Sequence, residues 1–242
     1  MKLISRFRPT PSPAAVAAPT APGTRGFVHS LLFDARDTER GALMSLRLAG
    51  DSVRCPYAEH PETWFRSTSC RLTSADLHDY ALPHLQHLRE GRGMEITGGE
   101  PLTQPEFTSE LLTTFATSGI RTTLRTSGHA PADLDLSLLD AADEVILDLH
   151  ACDERTSWAL HHRRATPALT FARRATAHGT PLRISYALIP GVTDTEAPLT
   201  AATELFKELA CPVDLHPSTR LAPAALAETR ARFEQAGLKV AA

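Results

Sequence analysis

Met94-Glu-Ile-Thr-Gly-Gly-Glu-Pro101, followed by Phe107, Leu111, Leu112 and Phe115 and closed by Gly119, reads as one strand, one turn and one helix. The run 94–97 has the length of a short buried strand, and the glycine pair stops it. The four later apolar residues fall three and four apart, as one face of a helix requires. The same unit recurs on both sides. Apolar runs near positions 44, 94, 122, 146, 185 and 214 are each followed by a polar loop, and helical periodicity separates most of them. Such an alternation predicts parallel strands joined by right-handed crossovers. The outcomes are a doubly wound sheet or a full or partial barrel, and six strands favour a partial (βα)6 TIM-like barrel. Either way the loops at the carboxyl ends of the strands gather at one mouth: 51–64, 98–101, 126–128, 150–153 and 190–194.

Working outward, 26–33 is expected to be an edge strand, and 42–48 a buried strand leading into the first mouth loop. Thr73 or Ser74 is a suitable N-cap for a helix ending at Gly91, with Pro83 as the point where it kinks. Asp153 is placed to cap a helix, 167–178 and 195–209 are helical, and 223–236 closes the chain with 238–240 as a terminal apolar piece. Pro9, Pro11, Pro13, Pro19 and Pro22 among alanines cannot build a core, so 1–23 is expected to be a disordered tail and 24–242 a single domain.

Composition bounds the function. At 242 residues the chain can bury a sizeable core; 42% hydrophobic and 22% charged residues are ordinary for a soluble protein, and no apolar run is long enough to span a membrane. A formal net charge of −3 offers no field for polyanions, so nucleic acid is not expected as a partner. The first residues carry Lys2, Arg6 and Arg8 but no apolar segment after them, and the expected location is the cytoplasm. Cys55, Cys70, Cys152 and Cys211 lack any C-x-x-C spacing, which argues against a zinc ribbon, a redox dithiol or an ordinary cluster site.

The mouth loops carry the chemistry. In Asp51-Ser-Val-Arg-Cys-Pro-Tyr-Ala-Glu-His-Pro-Glu-Thr-Trp64, the groups Asp51, Cys55, Glu59 and His60 are all metal-ligand types, though without the compact two-plus-two spacing of a zinc site. Against that reading, Asp51 and Glu59 are solvated charges, Cys55 a packed thiol and His60 a surface residue. Gly98-Gly-Glu-Pro101 is either a tight turn or a place where backbone approaches a ligand, with Glu100 accepting from an ammonium group. His161-His-Arg-Arg164 reads as a phosphate site or as a solvated face. No Ser/His/Asp arrangement is identifiable in the chain.

Taken together these motifs resemble the glycyl-radical-enzyme activating enzymes of the radical S-adenosylmethionine (SAM) superfamily, of the pyruvate formate-lyase-activating type. The resemblance runs in order through Gly26-Phe-Val-His-Ser30, Arg54-Cys-Pro-Tyr57, Pro61-Glu-Thr-Trp64, Thr97-Gly-Gly-Glu-Pro-Leu102, Gln104-Pro-Glu-Phe107, Thr126-Ser-Gly128, Ile146-Leu-Asp-Leu149, 186–194 and 236–240. It implies SAM at Tyr57, Gly98, Gly99, Glu100, Pro101 and Asp148, and a [4Fe-4S] cluster at a C-x3-C-x2-C loop, with a glycyl-radical enzyme as protein partner. Here only the middle cysteine, Cys55, is present; Asp51 and Ala58 stand at the other two positions. Thiolates hold such clusters, so the cluster is expected not to assemble. His150, Ser185 and Thr219 also replace residues the family uses. The chain is expected to be a binding or regulatory protein; the alternative is a working activase with atypical ligation by Cys55, Asp51 and a remote ligand.

Overall fold

The computed structural model describes residues 23–34, 41–51, 53–58 and 60–241. The expected tail lies outside them except at Gly23, as does Glu59. The elements are β1 (Arg25–Asp34), β2 (Leu43–Leu48), β3 (Cys70–Thr73), α1 (Ser74–Ala81), α2 (Leu85–Glu90), β4 (Gly93–Gly98), α3 (Pro105–Thr117), β5 (Thr122–Thr126), β6 (Glu144–Leu149), α4 (Glu154–His161), α5 (Thr166–His178), β7 (Leu182–Leu188), α6 (Glu196–Leu209), β8 (Val213–Pro217) and α7 (Pro223–Gln235).

One eight-stranded sheet runs in the order β3-β1-β2-β4-β5-β6-β7-β8. From β2 to β8 every pairing is parallel, and each new strand joins the same growing edge. A doubly wound sheet would reverse direction at a switch point; steady addition to one side curls the sheet into the expected partial barrel. β1 and β3 pair antiparallel outside β2, so 26–33 is not the edge strand expected: β3 covers its outer side and forms the border. At the opposite end Val213 is bridged by Val240, with the Val213 amide donating to the Lys239 carbonyl at 2.9 Å.

The two faces differ in chemistry. Met44, Leu46, Leu48, Met94, Ile96, Leu124, Val145, Leu147, Leu149, Ile184, Tyr186 and Leu188 are at most 1% exposed and belong to the main core. Each such large side chain contributes about 1.5–3 kcal/mol by leaving water. The alternate positions point to the other face. There stand Ser45, Arg47, Glu95, Thr97, Thr123, Arg125, Glu144, Asp148, Arg183, Ser185, Asp214 and His216. A parallel strand covered on both sides would be apolar throughout. This sheet is polar inside, and several of the inner charges are paired across strands: Arg183 Nε donates to Glu144 at 2.9 Å and Arg183 Nη1 to Asp214 at 3.4 Å.

Local signals fall where expected. Thr73 and Asp76 form a reciprocal capping box at α1, and Asp153 caps α4 through the Thr156 amide at 2.8 Å. Around Pro83 the chain tightens into a 3-10 turn that separates α1 from α2. Tyr186, Phe206 and Phe233 pack with ring centroids 5.4, 5.7 and 6.2 Å apart and fasten β7 to α6 and α7.

Candidate functional site

The first wall of the mouth is the loop after β2. Backbone bonds close it: the Gly50 amide donates to the Thr63 carbonyl at 2.8 Å and the Asp51 amide to the Trp64 carbonyl at 3.2 Å. Within it Asp51 Oδ1 accepts from the Val53 amide at 2.7 Å, an Asx turn. Arg54 then takes a left-handed conformation with φ of +52°. Cys55 is 3% exposed, and burial pushes its thiol pKa up. Tyr57 and Phe65 stand about half exposed on the rim, with the Arg54 guanidinium 4.8 Å from the Phe65 ring centre.

The Gly98-Gly-Glu-Pro101 turn packs directly against this loop. Gly98 has φ of +82°, and a Cβ on Gly99 would lie 2.4 Å from the Gly50 carbonyl oxygen. The glycine pair is therefore required by the approach of two backbone segments. The Glu100 amide donates to that same Gly50 carbonyl at 2.7 Å. Its side chain is fully buried. Oε1 accepts from the Leu102 amide at 2.9 Å and the Thr126 hydroxyl at 2.6 Å, and Oε2 accepts from the Ser127 amide at 2.9 Å and the Ser127 hydroxyl. A carboxylate offers about four lone-pair positions, and all are engaged. Burial raises its pKa and these donors oppose the rise. Glu100 thus ties the β4 turn to the β5 turn, and a ligand ammonium would have to displace an internal donor. Pro101 is buried, and its carbonyl accepts from Thr108 at 2.9 Å.

Further in, Arg125 grips Asp148 through two bonds of 2.8 and 2.7 Å and reaches the Ser185 hydroxyl at 3.2 Å. Glu95, one layer below, has its pKa raised by burial, with Arg125 opposing. Three histidines line the same mouth: His129 after β5, His150 after β6 and His161 at the end of α4. The His150 and His161 ring centres are 5.3 Å apart, and those of His129 and His161 6.5 Å. Burial lowers all three pKa values, that of His161 to about 3.

The structure thus brings together the loop of Cys55, the turn of Gly98, Gly99, Glu100 and Pro101, and Asp148, while Tyr57 stands at the rim. For 161–164 the solvated-face expectation holds at His162, Arg163 and Arg164 and fails at His161, which is 8% exposed. Gln104, which opens the Gln104-Pro-Glu-Phe107 run, has a structural role. Its Oε1 accepts from the Phe27 amide at 2.7 Å and its amide nitrogen donates to the Ala49 carbonyl at 3.1 Å, stitching α3 to β1 and to the start of the mouth loop.

Comparison with known families decides the lineage: the model of the radical SAM superfamily matches residues 54–202. The chain belongs to the radical SAM superfamily. Among curated relatives, the pyruvate formate-lyase-activating enzyme of Listeria monocytogenes is 26% identical over 191 residues, covering 76% of this chain and 77% of the relative. A domain of the pyruvate-formate lyase-activating enzyme from Bacteroides vulgatus superposes with a TM-score of 0.56 at 21% identity, covering 62% of this chain and 98% of that one. Streptococcus suis SuiB bound to S-adenosylmethionine gives a TM-score of 0.63 at 13% identity, covering 79% of this chain and 47% of SuiB, so the match spans about half of that protein. At these identities the two solved structures speak for the radical SAM fold alone. Among the described residues no helix is long and apolar enough to cross a membrane.

Proposed function

We propose that this chain is a cluster-free radical SAM protein of the activating-enzyme type, which binds a partner or regulates rather than cleaving SAM. The donor set of the mouth loop carries this reading. A cubane of the family holds three irons on three thiolates. Here Ala58 has no donor atom, the Asp51 carboxylate holds the Val53 amide, and Cys55 is a buried thiol with a raised pKa. Cys70 opens β3, the border strand beyond β1, where it is exposed and lies outside the loop that carries Cys55. These residues do not fit a three-thiolate cluster.

The cofactor groups support the same reading. Glu100 is saturated by internal donors and Asp148 is held by Arg125, so SAM would have to be held mainly by the backbone of Gly98 and Gly99 and by the rim at Tyr57. On this proposal 24–242 acts as one domain in the cytoplasm, and its partner is a protein, a glycyl-radical enzyme by family resemblance, seated on the rim.

Anaerobic reconstitution with ferrous iron and sulfide, followed by iron and sulfide counting and assay for 5'-deoxyadenosine, tests this. The expected result is no stoichiometric cluster and no SAM cleavage. A cubane that cleaves SAM would overturn the proposal in favour of atypical ligation. Calorimetric titration with SAM tests residual binding separately.

A further inference from the structure

On the outer helices exposed arginines are paired: Arg173 meets Glu208 in two bonds of 2.6 and 2.9 Å, and Arg232 meets Glu196 in two of 2.6 and 2.8 Å. The rim at the β1–β3 end is different. Arg54, Arg66 and Arg71 are all exposed, and among the described residues their one guanidinium hydrogen bond runs from Arg66 to the Thr103 carbonyl at 3.3 Å, with no carboxylate on any of the three. Each lies over an aromatic ring instead. The Arg54 guanidinium carbon is 4.8 Å from the Phe65 ring centre, and those of Arg66 and Arg71 are 4.8 and 5.3 Å from that of Phe27. Phe27 and Arg71 stand opposite each other in the β1–β3 pairing.

Stacking uses the face of a guanidinium and leaves the N–H donors in its plane uncommitted, so a stacked arginine is held in place with its fork still open to a carboxylate. Two of the three charges share one ring. They stand within about 10 Å of each other, the distance over which salt begins to screen. Carboxylates of the same loop do not relieve them: Glu62 is taken by His60 at 3.1 Å and Asp51 by the Val53 amide at 2.7 Å. Arg54 also holds φ of +52°, a conformation ordinarily left to glycine, so backbone strain falls on a residue that carries one of the guanidiniums. Beside them Tyr57 and Phe65 are 49% and 48% exposed. Exposed aromatic rings interleaved with arginine are the composition that protein-binding surfaces concentrate at their centres.

We propose that Arg54, Arg66 and Arg71, stacked on Phe65 and Phe27, form the docking surface for an acidic segment of the partner protein, whose carboxylates engage the guanidiniums while an apolar side chain rests on Tyr57. The proposal rests on the reading above that a protein sits on the rim, and it is independent of whether a cluster assembles. A nucleic acid fits this surface less well. The net charge of −3 opposes a long polyanion, and rings already covered by guanidiniums offer less face for bases to stack on. A short run of aspartate and glutamate needs only the local charge.

The test is fluorescence anisotropy with the full chain and a short labelled peptide of aspartate, glutamate and phenylalanine, beside its asparagine–glutamine counterpart and a single-stranded oligonucleotide of similar length. The acidic peptide should bind in preference to both, and more weakly as salt rises. Arg54→Gln combined with Arg71→Gln should weaken it about tenfold, the product of two exposed charge pairs, while Arg173→Gln leaves it unchanged. Arg54→Glu combined with Arg71→Glu should abolish it and create binding to a lysine version of the peptide. The salt dependence and peptide preference of the unaltered chain give an answer even where a variant fails to fold. No binding, equal binding of the amide peptide, preference for the oligonucleotide, or indifference to the paired arginine variants would each overturn the proposal. A cubane that cleaves SAM would sink the cluster-free reading and leave these measurements as they stand, so the two failures are distinguishable.

Discussion

The Arg125 guanidinium and the Asp148 carboxylate meet in two parallel bonds of 2.8 and 2.7 Å across neighbouring strands of the barrel. The pair is about 70% shielded from solvent on both sides. Arg125→Met keeps the length of the side chain and removes the charge, leaving Asp148 and the half-buried Glu95 without their shared cation. Destabilisation of about 1–3 kcal/mol is expected, read as a lower urea midpoint at unchanged slope. A midpoint unchanged from the parent would show the pair to be energetically idle.

Glu100→Gln replaces a fully engaged acceptor by a group that turns donors toward donors. With Leu102, Thr126 and Ser127 all aimed at the carboxylate, at least one buried donor loses its partner, and about 1–3 kcal/mol of stability is lost. If Glu100 were instead reserved for a ligand ammonium, the same change would leave folding intact and affect only binding. Thermal unfolding in the absence of any ligand separates these cases.

Gly26 sits where the opening strand crosses Phe107. A Cβ there would lie 1.8 Å from the Phe107 ring, and that ring is 1% exposed with nowhere to go. Gly26→Ala is therefore expected to cost about 1–3 kcal/mol, whereas Gly191→Ala, where nothing lies within 4 Å, pays only for its left-handed backbone. Urea midpoints of the two variants, measured side by side, check the difference.

The histidine cluster sets a pH dependence. Each ring's pKa is lowered in the folded chain from the ordinary 6.5, to about 3 for His161. Above 6.5 both states are neutral and stability is at its plateau. Below it the unfolded chain binds protons first, so stability falls with decreasing pH, for His161 through the window down to about 3, by up to about 1.4 kcal/mol per pH unit for each histidine still neutral in the folded chain. The raised carboxyls of Glu95 and Glu100 act oppositely above their ordinary 4.5. Urea midpoints at pH 7.5, 6 and 5 should decline less steeply in His161→Gln than in the parent.

The two ends of the mouth loop are tied together by the Gly50–Thr63 and Asp51–Trp64 backbone bonds, which do not depend on any bound group. Asp51→Cys with Ala58→Cys is thus expected to gain sulfur-to-iron absorption on anaerobic reconstitution. A colourless, folded double variant would mean that the loop no longer presents the two positions to a common point.

Much of this was legible in the chain. The strand positions, the cap at Asp153, the break at Pro83 and the partial barrel follow from periodicity and punctuation, which are local. β3 was not legible, because Cys70-Arg-Leu-Thr73 has no alternation to detect and becomes a strand only by pairing with β1. His161 was hidden in a run of basic residues; its burial depends on how α4 lies against the mouth. Glu100 looked available because its four donors come partly from Thr126 and Ser127, a strand away. Such saturation is invisible to a reading of one motif at a time.

An unclosed barrel has two free borders, and both are blunted in this chain. One ends in β3, four residues long with Arg71 exposed; the other, β8, ends at Pro217, and Val240 bridges its beginning. Short, charged or proline-terminated borders are poor templates for a foreign strand. Such borders keep the open sheet from inviting sheet-to-sheet polymerisation and leave the loops at the mouth as the face free of strand-pairing groups.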